Sequence, residues 1–199
     1  MSTFKGPTFD PSAADINAAC KGDCVLTHIQ SSLDILAAAK PTDSAAKKLA
    51  QKQALSFVVH FIGDIHQPLH AADRDGDRGG NDEHVKFFGT DNGGDLELHG
   101  IWDKQIVSRI AASESTLAAN LKPEIAKAAA ESPLQPADWA VQSYRFARDV
   151  SYKDIPPPNG KKIVADLGQP YQDKAAPVVR IQIARAAVRL AAALQKALP

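Results

Sequence analysis

Histidine is the residue type whose distribution says most about chemistry in this chain. Five of the six histidines, His60, His66, His70, His84 and His99, fall within the 40 residues 60–99, where even scatter over a chain of this length puts roughly one. In FVVHFIGDIHQPLH, His60 and Asp64 stand at i and i+4. On a helix their Cβ atoms are neighbours about 6 Å apart on one face, so both can aim into one pocket. In LHGIWD, His99 and Asp103 repeat that spacing, and His70, just past Pro68, is free to turn toward them. Imidazole nitrogens and carboxylate oxygens, with no thiolate in the set, suit Zn²⁺ in a catalytic rather than a structural site. Two such pairs on separate helices, meeting inside a bundle, can hold two ions with a shared carboxylate between them.

A lone His–x₃–Asp pair on a helix is ordinarily a hydrogen bond or a surface ion pair. The metal reading rests on two pairs plus His70 within the 44 residues 60–103. His66, two residues after Asp64, points to another face and reads as a structural or supporting residue. His84 alternates with the apolar residues of HVKFF and either lines the pocket or starts a strand. His28 lies far from the cluster and reads as a helix-surface residue. Gly79-Gly80-Asn81 on its own is a turn signal. Cys20 and Cys24, in CKGDC, fit either a small disulfide ring in an oxidising compartment or two free thiols with Cys24 packed at a helix start.

Helices must position these groups. Alanine is abundant and the apolar residues recur at three and four. Residues 24–39 read as a helix with Val25, Ile29, Leu33 and Leu36 on one face. Asp43 or Ser44 caps the next, whose apolar side is Leu49, Leu55, Val58, Val59 and Ile62 until Pro68 limits it. Between Asp73 and Leu98 the texture predicts a loop and a short β-hairpin turning at Asn92-Gly93-Gly94. Helices follow from about His99 to Ala112, near 114–131, and over 138–151 with Asp138 as N-cap. A long last helix spans 171–197 with Val178, Ile181, Ala184, Val188 and Ala191 inward and Arg180, Arg185 and Arg189 on a solvated face. The chain therefore reads as one mainly α domain, 1–199, with a small hairpin. Its 23 Lys+Arg balance 23 Asp+Glu, which argues against gripping long nucleic acid by global charge. No apolar run reaches the length of a membrane span, and no signal peptide opens the sequence.

The run HFIGDIHQPLH (His60 to His70), then RGGN (Arg78 to Asn81), then LHGIWD (Leu98 to Asp103), resembles the S1/P1 nuclease family, whose fold is related to zinc-dependent bacterial phospholipase C. In weaker form the resemblance extends from about Pro7 through Cys24 to DWAVQSYRFARDVSY and the final helix. It implies a phospholipase C/P1 nuclease-like helical bundle with up to three zinc ions in a cleft. The implied activity is phosphodiester hydrolysis in single-stranded DNA and RNA, with 3′-nucleotidase action. Carried over by matching motif, His60 and Asp64 ligate one zinc, with Asp64 also bridging toward a third and serving catalysis. His70, His99 and Asp103 ligate the remaining zinc, and Asn81 contacts substrate. The resemblance also implies a secreted or periplasmic protein acting on a nucleic acid or nucleotide and not on a membrane; the oligomeric state is left open, with a monomer expected.

Single-strand preference follows from a base stacking in a pocket beside the metals. Phe87 and Phe88 are candidate walls, with core packing the better reading for at least one. The family places a terminal tryptophan and further ligands before the segment that matches Pro7 onward, whereas no Trp precedes Trp102 here and no His precedes His28. The chain thus looks like a family member lacking its N-terminal part, with fewer zinc ions and poor nuclease activity expected. The alternatives are a zinc phospholipase C-like esterase and a metal-binding domain without efficient catalysis.

Overall fold

Helix α1 (Ala13–Cys20) begins at Ser12. The Asp15 N–H donates to the Ser12 hydroxyl, and the Ser12 N–H donates to the Asp15 carboxylate at 2.8 Å, a reciprocal cap that satisfies two orphan donors. The turn that follows has Lys21 and Gly22 in left-handed conformations, and Cys20 and Cys24 close it as a disulfide, which settles the open choice at that pair. Helix α2 (Val25–Ala37) buries Ile29 and Leu36 on the predicted face. The computed structural model describes residues 2–4, 9–94, 96–131, 135–160 and 162–198, the first three as backbone alone. Pro7, where the weaker family resemblance starts, lies outside them.

Helix α3 (Ala45–Asp64) is capped by Ser44, whose hydroxyl accepts the Lys47 N–H. Asp43, the other candidate cap, accepts the Lys40 N–H at 2.8 Å and the Gln51 amide at 2.6 Å instead. Ala54, Val58 and Ile62 pack α3 against its neighbours, while Leu49, Leu55 and Val59 from the predicted apolar side are exposed. Apolar residues surround α3 almost completely, but the helix meets the described residues along one narrow stripe.

The long helix α4 (Gln169–Ala197) runs beside α3 and buries Val178 and Ala184 as predicted, while Ala191 is exposed. Its arginines correct the expectation of a solvated face. Arg180 donates to Glu124 at 2.6 Å and Arg185 to Glu131 at 2.7 Å. Arg189 reaches Gln142 at 2.7 Å and the His66 ring at 2.7 Å. Helix periodicity alone did not show that the Glu124 and Glu131 carboxylates would stand against these positions. In the helix Pro136–Phe146, Asp138 is not the N-cap. It sits three residues after the cap, Gln135, and accepts that residue's N–H at 3.0 Å.

The expected hairpin exists in minimal form. His84 and Glu97 form an antiparallel bridge, flanked by Val85 N–H to Leu96 O and Leu98 N–H to Glu83 O, each at 2.9 Å. The strand Val85–Phe87 takes its longer pairing, in parallel, from Ala165–Leu167. A second parallel pair joins Ser2–Phe4 to Ala72–Arg74.

Beneath the loop 74–83 lies a buried polar cluster. Arg74 is hydrogen-bonded to Glu83 and donates to the carbonyls of Ile155 (2.7 Å) and Pro156 (2.8 Å). Glu83 and Asp77 are both buried. One oxygen of Asp77 accepts three donors: Arg74 N–H at 2.8 Å, Gly79 N–H at 3.0 Å and the Tyr152 hydroxyl at 3.0 Å. Burial pushes the Asp77 carboxyl above the ordinary aspartate range, and the Tyr152 and Arg74 hydrogen bonds pull it back.

Removing one member of a buried ion pair costs about 3–5 kcal/mol because a bare charge remains. Arg74→Met is accordingly expected to lower unfolding free energy in urea by about that much, and the double variant Arg74→Met/Glu83→Leu to recover part of the loss. A loss below 1 kcal/mol in the single variant would show that the pair does not hold the loop.

Candidate metal centre

Three segments converge on the cluster that the histidine spacing predicts. The last turn of α3 carries His60 and Asp64, with His60 Nε2 3.2 Å from Asp64 Oδ2. A 3₁₀ turn, Pro68–Ala71, follows with Pro68 in its first turn, where the missing N–H costs nothing, and it carries His70. The third segment starts as a short helix, Leu98–Gly100, and widens into a π turn, Ile101–Gln105, so His99 and Asp103 sit across a change of helix type. The sequence predicts a regular helix there, and π turns of this kind are frequent at functional sites.

His70, His99 and Asp103 each offer one ligand atom, and these atoms lie within 4.8 Å of one another. His70 Nε2 is 3.1 Å from His99 Nε2 and 3.6 Å from Asp103 Oδ1, and His99 Nε2 is 3.5 Å from Asp103 Oδ2. Two ligands held about 2.0–2.1 Å from a tetrahedral zinc are about 3.3 Å apart, so the donor set fits that ion in both spacing and chemistry. His60 and Asp64 bring two donors. Asp64 Oδ1 also faces His70 Nδ1 at 3.5 Å, which puts this carboxylate between the two groups. Among the described residues no third protein donor joins His60 and Asp64.

The supporting contacts come largely from residues that spacing could not mark. His99 Nδ1 is 2.8 Å from the Gly79 carbonyl, and its backbone N–H donates to Gly80 O at 3.2 Å. Gly79 and Gly80 have φ of +68° and +82°, and a Cβ on Gly79 would stand 2.5 Å from the Leu69 carbonyl oxygen. Glycine is required there by both backbone conformation and space. The Gln67 side chain spans the site, accepting the Leu69 N–H and donating to Asp103 Oδ1 at 2.9 Å. Burial works to raise the Asp103 carboxyl, but hydrogen bonds from His70 and Gln67 and the electrostatic pull of the neighbouring imidazoles hold it below the ordinary aspartate value.

His66 faces away from the donors, as its position predicts. It is buried, its Nδ1 donates to the Ile62 carbonyl at 2.7 Å, and its Nε2 accepts from Arg189. Burial drives its pKa down to about 4, and the neighbouring arginines Arg189 and Arg185 push the same way against the Ile62 hydrogen bond. The ring is therefore neutral at pH 7. His84 stands at the bridge to Glu97. Asn81 donates its side-chain amide to the Arg78 carbonyl at 2.7 Å, next to the glycines that hold His99.

Two clefts flank the donors. One, of about 450 Å³, is lined by Phe61, Asp64, His70, His28 and the Cys20–Cys24 disulfide. The other, of about 410 Å³, is lined by Asp64, Gln67, His70, Asp103, Val107 and Ile183. His28 is exposed on the surface of α2, as expected, where it pairs with Asp23 at 2.9 Å and borders the first cleft. Phe87 and Phe88, the candidate walls, line neither: Phe87 is in the core, and Phe88 is covered by the Arg109 guanidinium at 3.4 Å. The short bridge at His84 turns that segment toward the strand pair and away from the donors. Phe61, one turn before Asp64, takes the place sequence reading gave to them.

A sequence model described as S1/P1 Nuclease matches residues 6–199. Endonuclease 2 of Arabidopsis thaliana is 29% identical over 191 residues, covering 88% of this chain and 62% of its own length. Nuclease S1 of Aspergillus oryzae is 31% identical over 190 residues, covering 85% of this chain and 60% of its own. Endonuclease 4 of Arabidopsis thaliana is 29% identical over 160 residues, with shares of 72% and 50%. The chain therefore spans between half and about three-fifths of the length of these relatives. Because the match runs through both His–Asp pairs and the glycine loop that supports them, from residue 6 to residue 199, the chain belongs to the S1/P1 nuclease family.

Proposed function

We propose that this chain is a zinc-dependent hydrolase of phosphodiester bonds in single-stranded DNA and RNA, with 3′-nucleotidase action at the same centre. The observation that carries the reading is the convergence of His70 Nε2, His99 Nε2 and the Asp103 carboxylate at 3.1–3.6 Å in a chain of this family. These three residues hold one zinc, and His60 and Asp64 contribute two donors to a second. A zinc ion held there supplies Lewis acidity to a phosphoryl oxygen and to an attacking water.

The remaining work falls to the chain's own side chains. Gln67 occupies Asp103 Oδ1 and so orients the carboxylate for its ligand role. Asp64 lies between the two donor groups, is one-third exposed and borders both clefts. It is placed to accept the proton of an attacking water. Asn81, with one amide N–H given to Arg78 O, keeps its amide oxygen for substrate. The apolar walls beside the donors, Phe61 on one side and Val107 with Ile183 on the other, favour an unstacked base, which a duplex does not present. The disulfide fits a secreted or periplasmic protein. Among the described residues no helix is long and apolar enough to cross a membrane. We infer that the protein acts as a monomer.

Zinc content is the first test. Elemental analysis of chain dialysed against zinc at neutral pH is expected to find about one tightly held ion, because one group offers three donors and the other two. His99→Ala is expected to lose it. Well-folded protein without zinc would overturn the reading.

Turnover is the second. The zinc-loaded chain is expected to cut single-stranded DNA slowly, in preference to duplex, and to stop on addition of EDTA. Asp64→Asn is expected to lower the rate by about 10²–10⁴-fold, the range for a positioned proton acceptor, while the zinc at His70, His99 and Asp103 is retained. An Asp64→Asn variant as fast as the parent would remove Asp64 from this role.

A further inference from the structure

One candidate metal donor, His99, is held by a loop whose own contacts lead to one buried carboxylate. A carbonyl oxygen can only accept, so the 2.8 Å contact from His99 to Gly79 O puts the ring proton on Nδ1 and leaves the Nε2 lone pair facing His70 and Asp103. Gly79 in turn is held through its N–H on Asp77 Oδ1 at 3.0 Å. The same oxygen accepts the Arg74 N–H and the Tyr152 hydroxyl, so it ties both ends of the turn to Tyr152, just after the π turn Ala147–Ser151. Burial and the Asp77 carboxyl push the Tyr152 phenol up, which keeps its proton in place as the donor. The loop is also seated against the other histidine's turn: the space at Gly79 is closed by the carbonyl oxygens of Leu69 and Ala72, on either side of His70.

Resting on the assignment of His99 as a metal ligand, we infer that Asp77 is the positioning residue of the centre. With Tyr152 it fixes the 77–80 turn so that Gly79 O holds His99 in the Nδ1–H form, its Nε2 aimed at the ion. Partners that orient a ligand in this way are worth about 10–100-fold in metal affinity.

The test uses the whole chain in two states. In zinc-free, ¹⁵N-labelled protein, long-range ¹H–¹⁵N correlations of the His99 ring read its tautomer, and zinc affinity is measured separately by competition with a chelator. The parent is expected to show the Nδ1–H form. Asp77→Ala is expected to lose that signature and to bind zinc about 10–100-fold more weakly. Asp77→Asn, which keeps an acceptor oxygen for the turn, is expected to restore most of both. Tyr152→Phe, which removes one hydrogen bond, is expected to weaken zinc binding by about 3–10-fold.

Asp77→Ala decides the matter. If that variant does not fold, Tyr152→Phe decides alone. A folded variant with a lower melting temperature but the parental His99 tautomer and zinc affinity would reduce Asp77 to a stability residue and overturn the inference. A parent that holds no zinc would instead refute the metal assignment, while the tautomer measurement would still judge Asp77.

Discussion

The hydrogen bond from His99 Nδ1 to the Gly79 carbonyl is where backbone conformation becomes metal chemistry. Imidazole can ligate only through a nitrogen that carries no proton, and a fixed carbonyl on one side of the ring determines which nitrogen that is. The carbonyl is available because two consecutive glycines adopt left-handed conformations in a space already closed by Leu69. Those glycines are in turn held from a buried polar cluster of Arg74, Asp77, Glu83 and Tyr152. Buried polar groups are costly unless partnered. In this cluster the Arg74, Gly79 and Tyr152 donors converge on one oxygen of Asp77, which ties the turn carrying the Gly79 carbonyl to the rest of the fold.

Charge is partitioned to the same end. Basic residues are numerous enough to neutralise every acid in the chain, yet the arginines are engaged elsewhere: Arg180 with Glu124, Arg185 with Glu131, Arg145 and Arg148 with Asp10, Arg78 with Asp82. The carboxylates of the centre, Asp64 and Asp103, meet imidazoles. Imidazole partners leave negative charge that a divalent cation can use, whereas a guanidinium would have cancelled it. The arginines of α4 also pin that helix to its neighbours through charge-assisted hydrogen bonds to Glu124, Glu131 and Gln142.

Much of this was legible in the sequence because it is local. The i, i+4 spacing of His60 with Asp64 and of His99 with Asp103 depends only on helix geometry, and Pro68 marks the break that frees His70. Family resemblance, resting on those same residues, reached the same donors. Helix positions followed from apolar periodicity, with α2 and the long α4 close to their expected limits. Caps were harder, since Asp43 and Asp138 both have the right chemistry for a cap, and local backbone competition chose Ser44 and Gln135 instead.

What periodicity could not supply is anything that depends on a distant partner. Nothing local to α4 shows that Arg185 and Arg189 turn inward, because their direction is set by Glu131 and His66, 54 and 123 residues away in sequence. Gln67, Phe61 and His28 gain their places at the centre only when three segments meet. Phe87 and Phe88 lose theirs when the strand that ends at Phe87 pairs with residues 165–167. The sequence by itself determined which side chains could bind a metal, since donor chemistry and helical spacing are properties of a short segment. Only the tertiary structure decided which nitrogen of His99 faces His70 and Asp103, because that depends on a backbone carbonyl 20 residues away, and a carbonyl is common to every residue and leaves no mark in the sequence.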